Sequence, residues 1–403
     1  MSFDYSDLIN KSGGLKSPPA ELLQPLVVPQ GRMLFSPGPS NCSPRVLEAL
    51  RNPVIGHLHA EILKMMDEIK LGIKYAFQTD SRLTLAISAA GHAGMEACLG
   101  NLLEPGETVL IVKGGIWGDR AADMATRVGA HVELLTTELG VAFTLDELEV
   151  ALKRFRPTVV FCTHAESSTG LKQPLMGVGD LVRKYDALLI VDTVASLGGD
   201  PFFMDAWSID AVYTGSQKVL GAPPGITPVS FGPRAEKKIL SRKFKVPVYY
   251  WDMKLLGNYW SCFDEPQRNY HHTISATLVY GLREGLAQLA EEGLENSWRR
   301  HQKAAEFLRK GLTKLGVKFF VDNPDHRTNT VTSFCLPEGV DGRVVIRRCL
   351  ERFNVEISGG LGPTAGRLCR IGTMGVNANP ERIAVALRAL EEAVNFAKSQ
   401  SKL

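Results

Sequence analysis

Apolar residues recur along the chain with helical and strand-like periods in turn. From Glu61, the positions Ile62, Met65, Met66, Ile69 and Ile73 fall on one face of a helix, which predicts a core-facing helix whose methionines are packing. Short apolar runs rich in β-branched residues follow at 83–88, 108–112 (TVLIV), 158–163 (TVVFCT) and 187–192 (ALLIVD), with helical patterns at 92–103, 120–128 and 145–155 between them. Apolar strands alternating with helices predict an α/β fold, a mostly parallel sheet flanked by helices on both faces. Beyond residue 274 the pattern changes. A long helical stretch (274–315) leads to short strands at 318–321 and 330–336 and to helices at 343–353 and 380–397, a smaller α+β lobe. The division expected is an N-terminal arm (1–30), a large domain (31–280) and a small C-terminal domain (281–403).

The length of 403 residues suits two lobes. Net charge is +3 from 46 basic and 43 acidic side chains, which favours small molecules and copies of the same chain as partners over nucleic acid or a membrane surface. Seven scattered cysteines, with no CxxC pair, predict reduced thiols in an intracellular compartment. The start, MSFDYSDLINKSGG, has neither the apolar centre of a secretory signal nor the Arg-rich character of a transit peptide. The last three residues, Ser401-Lys402-Leu403, match the address read by the peroxisomal import receptor, so a peroxisomal location is expected.

In open α/β sheets ligands sit beyond the carboxyl ends of the strands, so the residues after each run matter most. The first run is followed by Ala89-Ala90-Gly91-His92, small residues opening a helix and able to offer free N–H groups to an anion or to make only a tight turn. The second leads to Gly114-Gly115-Ile116-Trp117, whose indole can stack on a planar ring or simply pack. The third leads to His164-Ala165-Glu166-Ser167-Ser168-Thr169-Gly170, with hydroxyls for a ligand or a turn. The fourth ends in Asp192-Thr193-Val194, a carboxylate closing a strand of aliphatics that calls for a cationic partner. A fifth run, 210–214, leads to Gly215-Ser216-Gln217-Lys218. Anion cradle, stacking aromatic, carboxylate and lysine at one sheet edge are the parts needed for pyridoxal phosphate.

The stretches SPGPSN, GIWGDRA, ESSTG, VDTVASLGG, YTGSQKVLGAPPG, YHHTI, VEISGGLGP and RIG extend this pattern from about Leu22 to the end of the chain. On them the chain resembles the alanine–glyoxylate and serine–pyruvate aminotransferases, class V members of the fold type I pyridoxal-phosphate enzymes. Insect members and the related 3-hydroxykynurenine transaminases share the likeness. The resemblance implies that Lys218 carries the cofactor as a Schiff base and moves the proton, and that Asp192 keeps the pyridine nitrogen protonated. It further implies that Trp117 and Val194 flank the ring, and that Ser167 meets the ring's phenolic oxygen and borders the substrate. Backbone at Gly91 and His92, with Gln217, would hold the phosphate; Tyr270 and Thr273 would complete that site from the other subunit of a homodimer. Arg370 would clamp the carboxylate of the amino and 2-oxo acids.

Two positions depart from the family pattern. Ala90 stands where a serine is usual, which removes one phosphate contact and, if nothing replaces it, about tenfold in cofactor affinity. Ser36 stands in a usual glycine position, so either a permissive backbone angle is not needed there or Ser36 is mildly strained. Gly56-His57 matches the form found in insect alanine–glyoxylate enzymes, whereas kynurenine-type relatives carry Ser-Asn and contact substrate there. The expected reaction is transfer of the amino group of L-alanine to glyoxylate in a ping-pong cycle, with serine as a further donor. The alternative is a 3-hydroxykynurenine transaminase making xanthurenic acid.

Other chemistries fit less well. His57, His59, His92, His164 and His271-His272 are spread over several loops without HExxH or a carboxylate set, so a metal site is not expected. A cysteine desulfurase would need a cysteine on a mobile loop of the small lobe, and Cys335 and Cys369 lie in strand-like surroundings. A cofactor-binding scaffold without activity is hard to reconcile with intact Lys218, Asp192 and Arg370.

Overall fold

The computed structural model describes residues 4–263, 265 and 267–400, which fall into two units. Residues up to Arg32 form the first, with a short helix Ser6–Lys11 and a 3-10 turn Ala20–Leu23. Residues from Met33 onward form the second.

The second unit is built on a seven-stranded sheet: β1 Leu83–Ile87, β2 Thr108–Lys113, β3 His131–Thr136, β4 Val159–Thr163, β5 Leu188–Asp192, β6 Ala211–Tyr213 and β7 Thr227–Phe231, in the spatial order β1-β7-β6-β5-β4-β2-β3. All pairings are parallel except those of β7, which runs antiparallel to both neighbours. The chain leaves β6 at the carboxyl edge and crosses residues 214–226 without forming a helix. A parallel return needs a long crossover, usually helical, so the next strand has to run back down.

Two strands escape a reading by propensity. Pro228 interrupts the apolar run of β7, and a proline argues against an interior strand. The edge strand β3 is half-exposed and mixes His131 and Glu133 with aliphatics. The remaining strands of this sheet and the helices read between them lie where their periodicity puts them, within a few residues, whereas the helices Pro44–Ala49, Val178–Lys184, Pro233–Leu240 and Met253–Tyr259 are not legible in it. Ile62, Met66, Ile69 and Ile73 of the helix Ala60–Phe77 are fully buried.

The long helical stretch divides into Ala276–Glu292 and Leu294–Lys314. Gly293 separates them at φ +82°, a left-handed angle that glycine adopts without a Cβ penalty. The second helix packs with Gly342–Phe353 and Pro380–Gln400 around a separate apolar cluster containing Phe35, Phe334 and Ile371. These helices cover a four-stranded sheet of β8 Lys318–Phe319, β9 Val331–Cys335, β10 Ser358–Gly359 and β11 Cys369–Gly372, in the order β8-β9-β11-β10. No helix among the described residues is long and apolar enough to cross a membrane.

One close approach fixes the helix that opens the first loop. Gly94, in Gly91–Leu102, faces β6 and β7; a Cβ there would lie 2.7 Å from Thr227 Cγ2 and 2.9 Å from Tyr213 Cβ. The missing side chain lets the helix start sit down on the carboxyl edge of the sheet.

Candidate active site

The site starts from strand register. Asp192 is the last residue of β5 and is paired across the ladder with Thr163 on one side and Tyr213 on the other. That pairing brings the Tyr213 hydroxyl to Asp192 Oδ2, donating at 2.6 Å, while the Val194 N–H donates to Oδ1 at 2.7 Å. The carboxylate is 4 % exposed. Burial pushes its pKa up to about 6, against the pull of these two donors and of the Lys218 charge, so the group remains ionised at neutral pH.

Lys218 is half-buried. Its Nζ donates to the Pro37 carbonyl, and burial brings its pKa down to about 8; Asp192 opposes the shift and Arg370 adds to it. Near pH 7.4 about a fifth of such amines are neutral, against about one in a thousand for an ordinary lysine. The loop SPGPSN holds this lysine at both ends. Gly38, at φ +109°, turns the Pro37 carbonyl towards the amine, and a Cβ there would run into the lysine side chain, 2.5 Å from Cδ. Ser40 donates its Oγ to the Lys218 carbonyl at 2.5 Å and its N–H to the Gln217 carbonyl at 2.8 Å. Ser36 has no left-handed angle and donates its Oγ to Glu356 at 3.3 Å, so its position needs no glycine.

Two neighbouring loops meet around Trp117. Its indole N–H donates to Ser167 Oγ at 2.8 Å, and its backbone N–H donates to Glu166 at 3.3 Å. Glu166, which the sequence motifs do not single out, is 2 % exposed and accepts from the Ser168 N–H at 3.0 Å and the Ser168 hydroxyl at 2.6 Å. Burial pushes its pKa up to about 7 in spite of these bonds. Gly115 leaves room for it, since a Cβ there would lie 2.6 Å from Glu166 Oε2. Tyr213 and Glu166 are the supports that strand-end motifs miss. The signal for Tyr213 is its register opposite Asp192, which needs the pairing to be known.

Arg370 reaches this cluster from β11. It donates from Nε to the Gly359 carbonyl at 2.8 Å and from a terminal nitrogen to the Ser167 carbonyl at 2.9 Å. At 7 % exposure burial lowers its pKa, and among the described residues no carboxylate forms an ion pair with it. The Glu166 charge offsets part of this shift from a distance, and a guanidinium bonded to no carboxylate can receive one.

The helix Gly91–Leu102 begins at an uncapped end: Ala90 is its N-cap, in extended conformation, and no side chain caps it. Val194 packs beside this start, its Cγ2 3.5 Å from where a Gly91 Cβ would stand. The His92 ring meets Trp117 edge-on at 5.5 Å. Gln217 Oε1 is buried without a partner. Free N–H groups at a helix start, a buried anion and a lysine of lowered pKa fit a phosphorylated pyridine aldehyde.

Tyr270, Thr273, Gly56 and His57 form a second group. The Tyr270 hydroxyl lies 3.2 Å from Thr273 Oγ1, both residues being exposed, and the His57 ring is tilted against Tyr270 at 5.1 Å. Gly56 precedes it in the same half-buried turn. Among the described residues, no hydrogen bond or ring contact within the chain joins Tyr270, Thr273 or His57 directly to Lys218, Asp192 or Arg370.

Residues 32–380 match the family described as aminotransferase class-V. The chain belongs to this family. It is a pyridoxal-phosphate-dependent transaminase. It is 50% identical over 382 residues to an alanine–glyoxylate aminotransferase of Drosophila melanogaster, covering 94% of this chain and 96% of that one. Among solved structures it is similar to an alanine–glyoxylate aminotransferase from Nostoc sp., with TM-score 0.89, 44% identity, and 98% and 100% of the two chains covered. It is also similar to a ureidoglycine–glyoxylate aminotransferase from Bacillus subtilis, with TM-score 0.89, 35% identity, and 93% and 95% covered.

The uncapped start at Ala90 yields a prediction. Ala90→Ser restores a hydroxyl at a position whose backbone suits an N-cap and should tighten cofactor binding by about tenfold, taking one bond to a charged group. Titration of the apo-protein with pyridoxal phosphate checks it; unchanged affinity would place the phosphate elsewhere.

Proposed function

We propose that this transaminase moves the amino group of L-alanine to glyoxylate, giving pyruvate and glycine. The observation that carries the reading is Arg370: its buried guanidinium is held by two carbonyls and no carboxylate, so it has room for the single carboxylate that both substrates bring. The glyoxylate named for the Drosophila, Nostoc and Bacillus relatives supports the acceptor, and the Gly56-His57 form supports alanine as donor.

Pyridoxal phosphate, when bound, supplies the aldehyde that exchanges amino groups and the ring that draws electrons from Cα. Asp192, anionic and out of water, holds a proton at the ring nitrogen. Ser167 accepts from the Trp117 indole, which leaves its own O–H free to donate to the ring's phenolic oxygen. Trp117 and Val194 flank the ring. The N–H groups at Gly91 and His92, with Gln217, hold the phosphate. Lys218, released from the Pro37 carbonyl and neutral in part at physiological pH, would move the proton between Cα and the C4′ carbon of the cofactor.

Absorption spectra of the purified protein before and after adding L-alanine alone test this. The visible band of the bound cofactor should give way to that of its aminated form, and Lys218→Ala should abolish turnover. A band that alanine leaves unchanged would move the donor to serine or to 3-hydroxykynurenine.

The active unit in this reading is a homodimer, with Tyr270, Thr273 and His57 acting across the subunit boundary. Their grouping away from Lys218 within one chain supports this. Mixing inactive Lys218→Ala subunits with weakened Tyr270→Ala subunits should restore activity through hybrid dimers; no recovery would put both groups in one chain's site. The location proposed is the peroxisome, through Ser401-Lys402-Leu403, which lies outside the described residues. Removing this tripeptide from a chain with a fluorescent tag at its N-terminus should leave the fluorescence cytosolic, and unchanged punctate fluorescence would refute the address.

A further inference from the structure

His271 and His272 lie between Tyr270 and Thr273, and neither imidazole has a part in the chemistry above. Both are 8 % exposed. His272 Nε2 lies 2.6 Å from Ser88 Oγ, His272 Nδ1 lies 2.9 Å from His271 Nδ1, and His271 Nε2 lies 3.3 Å from the Tyr249 carbonyl oxygen. Three aromatic rings hold the pair in place. Tyr249 stacks on His271 at 4.8 Å and 7°, and Tyr250 and Tyr259 stand 4.9 and 5.5 Å from His272.

The direction of every bond in this chain follows from its end. A carbonyl only accepts, so His271 Nε2 carries a proton. Burial holds both imidazoles below the ordinary pKa, His272 at about 4, so each ring is neutral and has one N–H. His271 Nδ1 is therefore an acceptor and His272 Nδ1 the donor to it. His272 Nε2 is then an acceptor, and the Ser88 hydroxyl must donate. One backbone carbonyl sets the proton on two imidazoles and a serine.

Ser88 follows directly on β1 and stands two residues before Ala90. The helix start that follows has no side-chain cap of its own, and the turn is held from behind at Ser88 and at Ala89, whose carbonyl accepts from the Thr227 hydroxyl at 2.8 Å. We propose that His271 and His272 are positioning residues, a relay with locked tautomers that ties Ser88, and with it the anion-binding turn Ala90–His92, to the Tyr270–Thr273 segment. An apolar pair could fill the same space; what the imidazoles add is a directed series of bonds. The inference rests on the proposed reading of that turn as the phosphate cradle.

The test is the dissociation constant of pyridoxal phosphate, followed by visible absorption, for the full chain and for His272→Leu, His272→Gln, Ser88→Ala and the Leu/Ala double variant. His272→Leu and Ser88→Ala should each weaken binding by about five- to tenfold, the effect of one or two hydrogen bonds. The double variant should be no weaker than either alone, because both cut the same relay. The Gln amide offers a donor nitrogen and an acceptor oxygen, as the two ring nitrogens do, and should recover most of the loss. Unchanged affinity in His272→Leu, equal weakness of Leu and Gln, or additive losses would each overturn the relay. Should His272→Leu fail to fold, Ser88→Ala decides alone, and wild-type affinity in it overturns the proposal. If the unaltered chain takes up no cofactor, the cradle reading falls and takes the relay with it, a result distinct from unchanged variants.

Discussion

A carboxylate buried at the carboxyl edge of a parallel sheet is the constraint on which the rest of the site depends. Asp192 is out of water, and an isolated anion there would be costly. It is tolerated because the backbone after β5 turns to offer the Val194 N–H and the neighbouring strand offers the Tyr213 hydroxyl. Even so its pKa is raised, so the donors only partly replace the lost water. The remaining demand is for positive charge. Lys218 meets it at long range, and a protonated ring nitrogen would meet it more fully. The cost of burying this group is the same property that suits it to hold a cationic ring.

The lysine is under an opposite constraint. Burial and the Arg370 charge push it towards the neutral amine, and Asp192 pulls it back. Its position is set by backbone carbonyls rather than by a counter-ion: Pro37 accepts from its amine, and Ser40 ties its own carbonyl down. A carboxylate in place of Pro37 would form an ion pair and favour the charged form. A carbonyl orients the amine without raising its pKa to the same degree or locking its proton in place.

Arg370 joins the two sheets of the second unit at the same point. It springs from the small sheet but donates to the Ser167 carbonyl in the loop after β4 of the large one, and Ser167 in turn receives the Trp117 indole. Arg370 and Trp117 are thus linked through a single serine. Glu166 holds the Trp117 backbone N–H, so a carboxylate one residue before Ser167 helps to set where the indole lies.

What the sequence determined by itself was the part that depends on local chemistry. Periodicity located most strands and helices, and the rule that ligands gather at strand ends brought Trp117, Ser167, Asp192 and Lys218 to one edge before any pairing was known. Tertiary structure decided everything that depends on which strands are neighbours. Tyr213 supports Asp192 because β6 lies beside β5 in one particular register. β7 is antiparallel because the turn that carries Lys218 keeps the chain on one edge, although Pro228 hides the strand from propensity. The role of SPGPSN, almost two hundred residues before the lysine it holds, and the meeting of Ser88 with His272 follow from folding alone. Hydrogen bonds between residues far apart in the chain leave no periodic trace in it, whereas burial of an apolar face does.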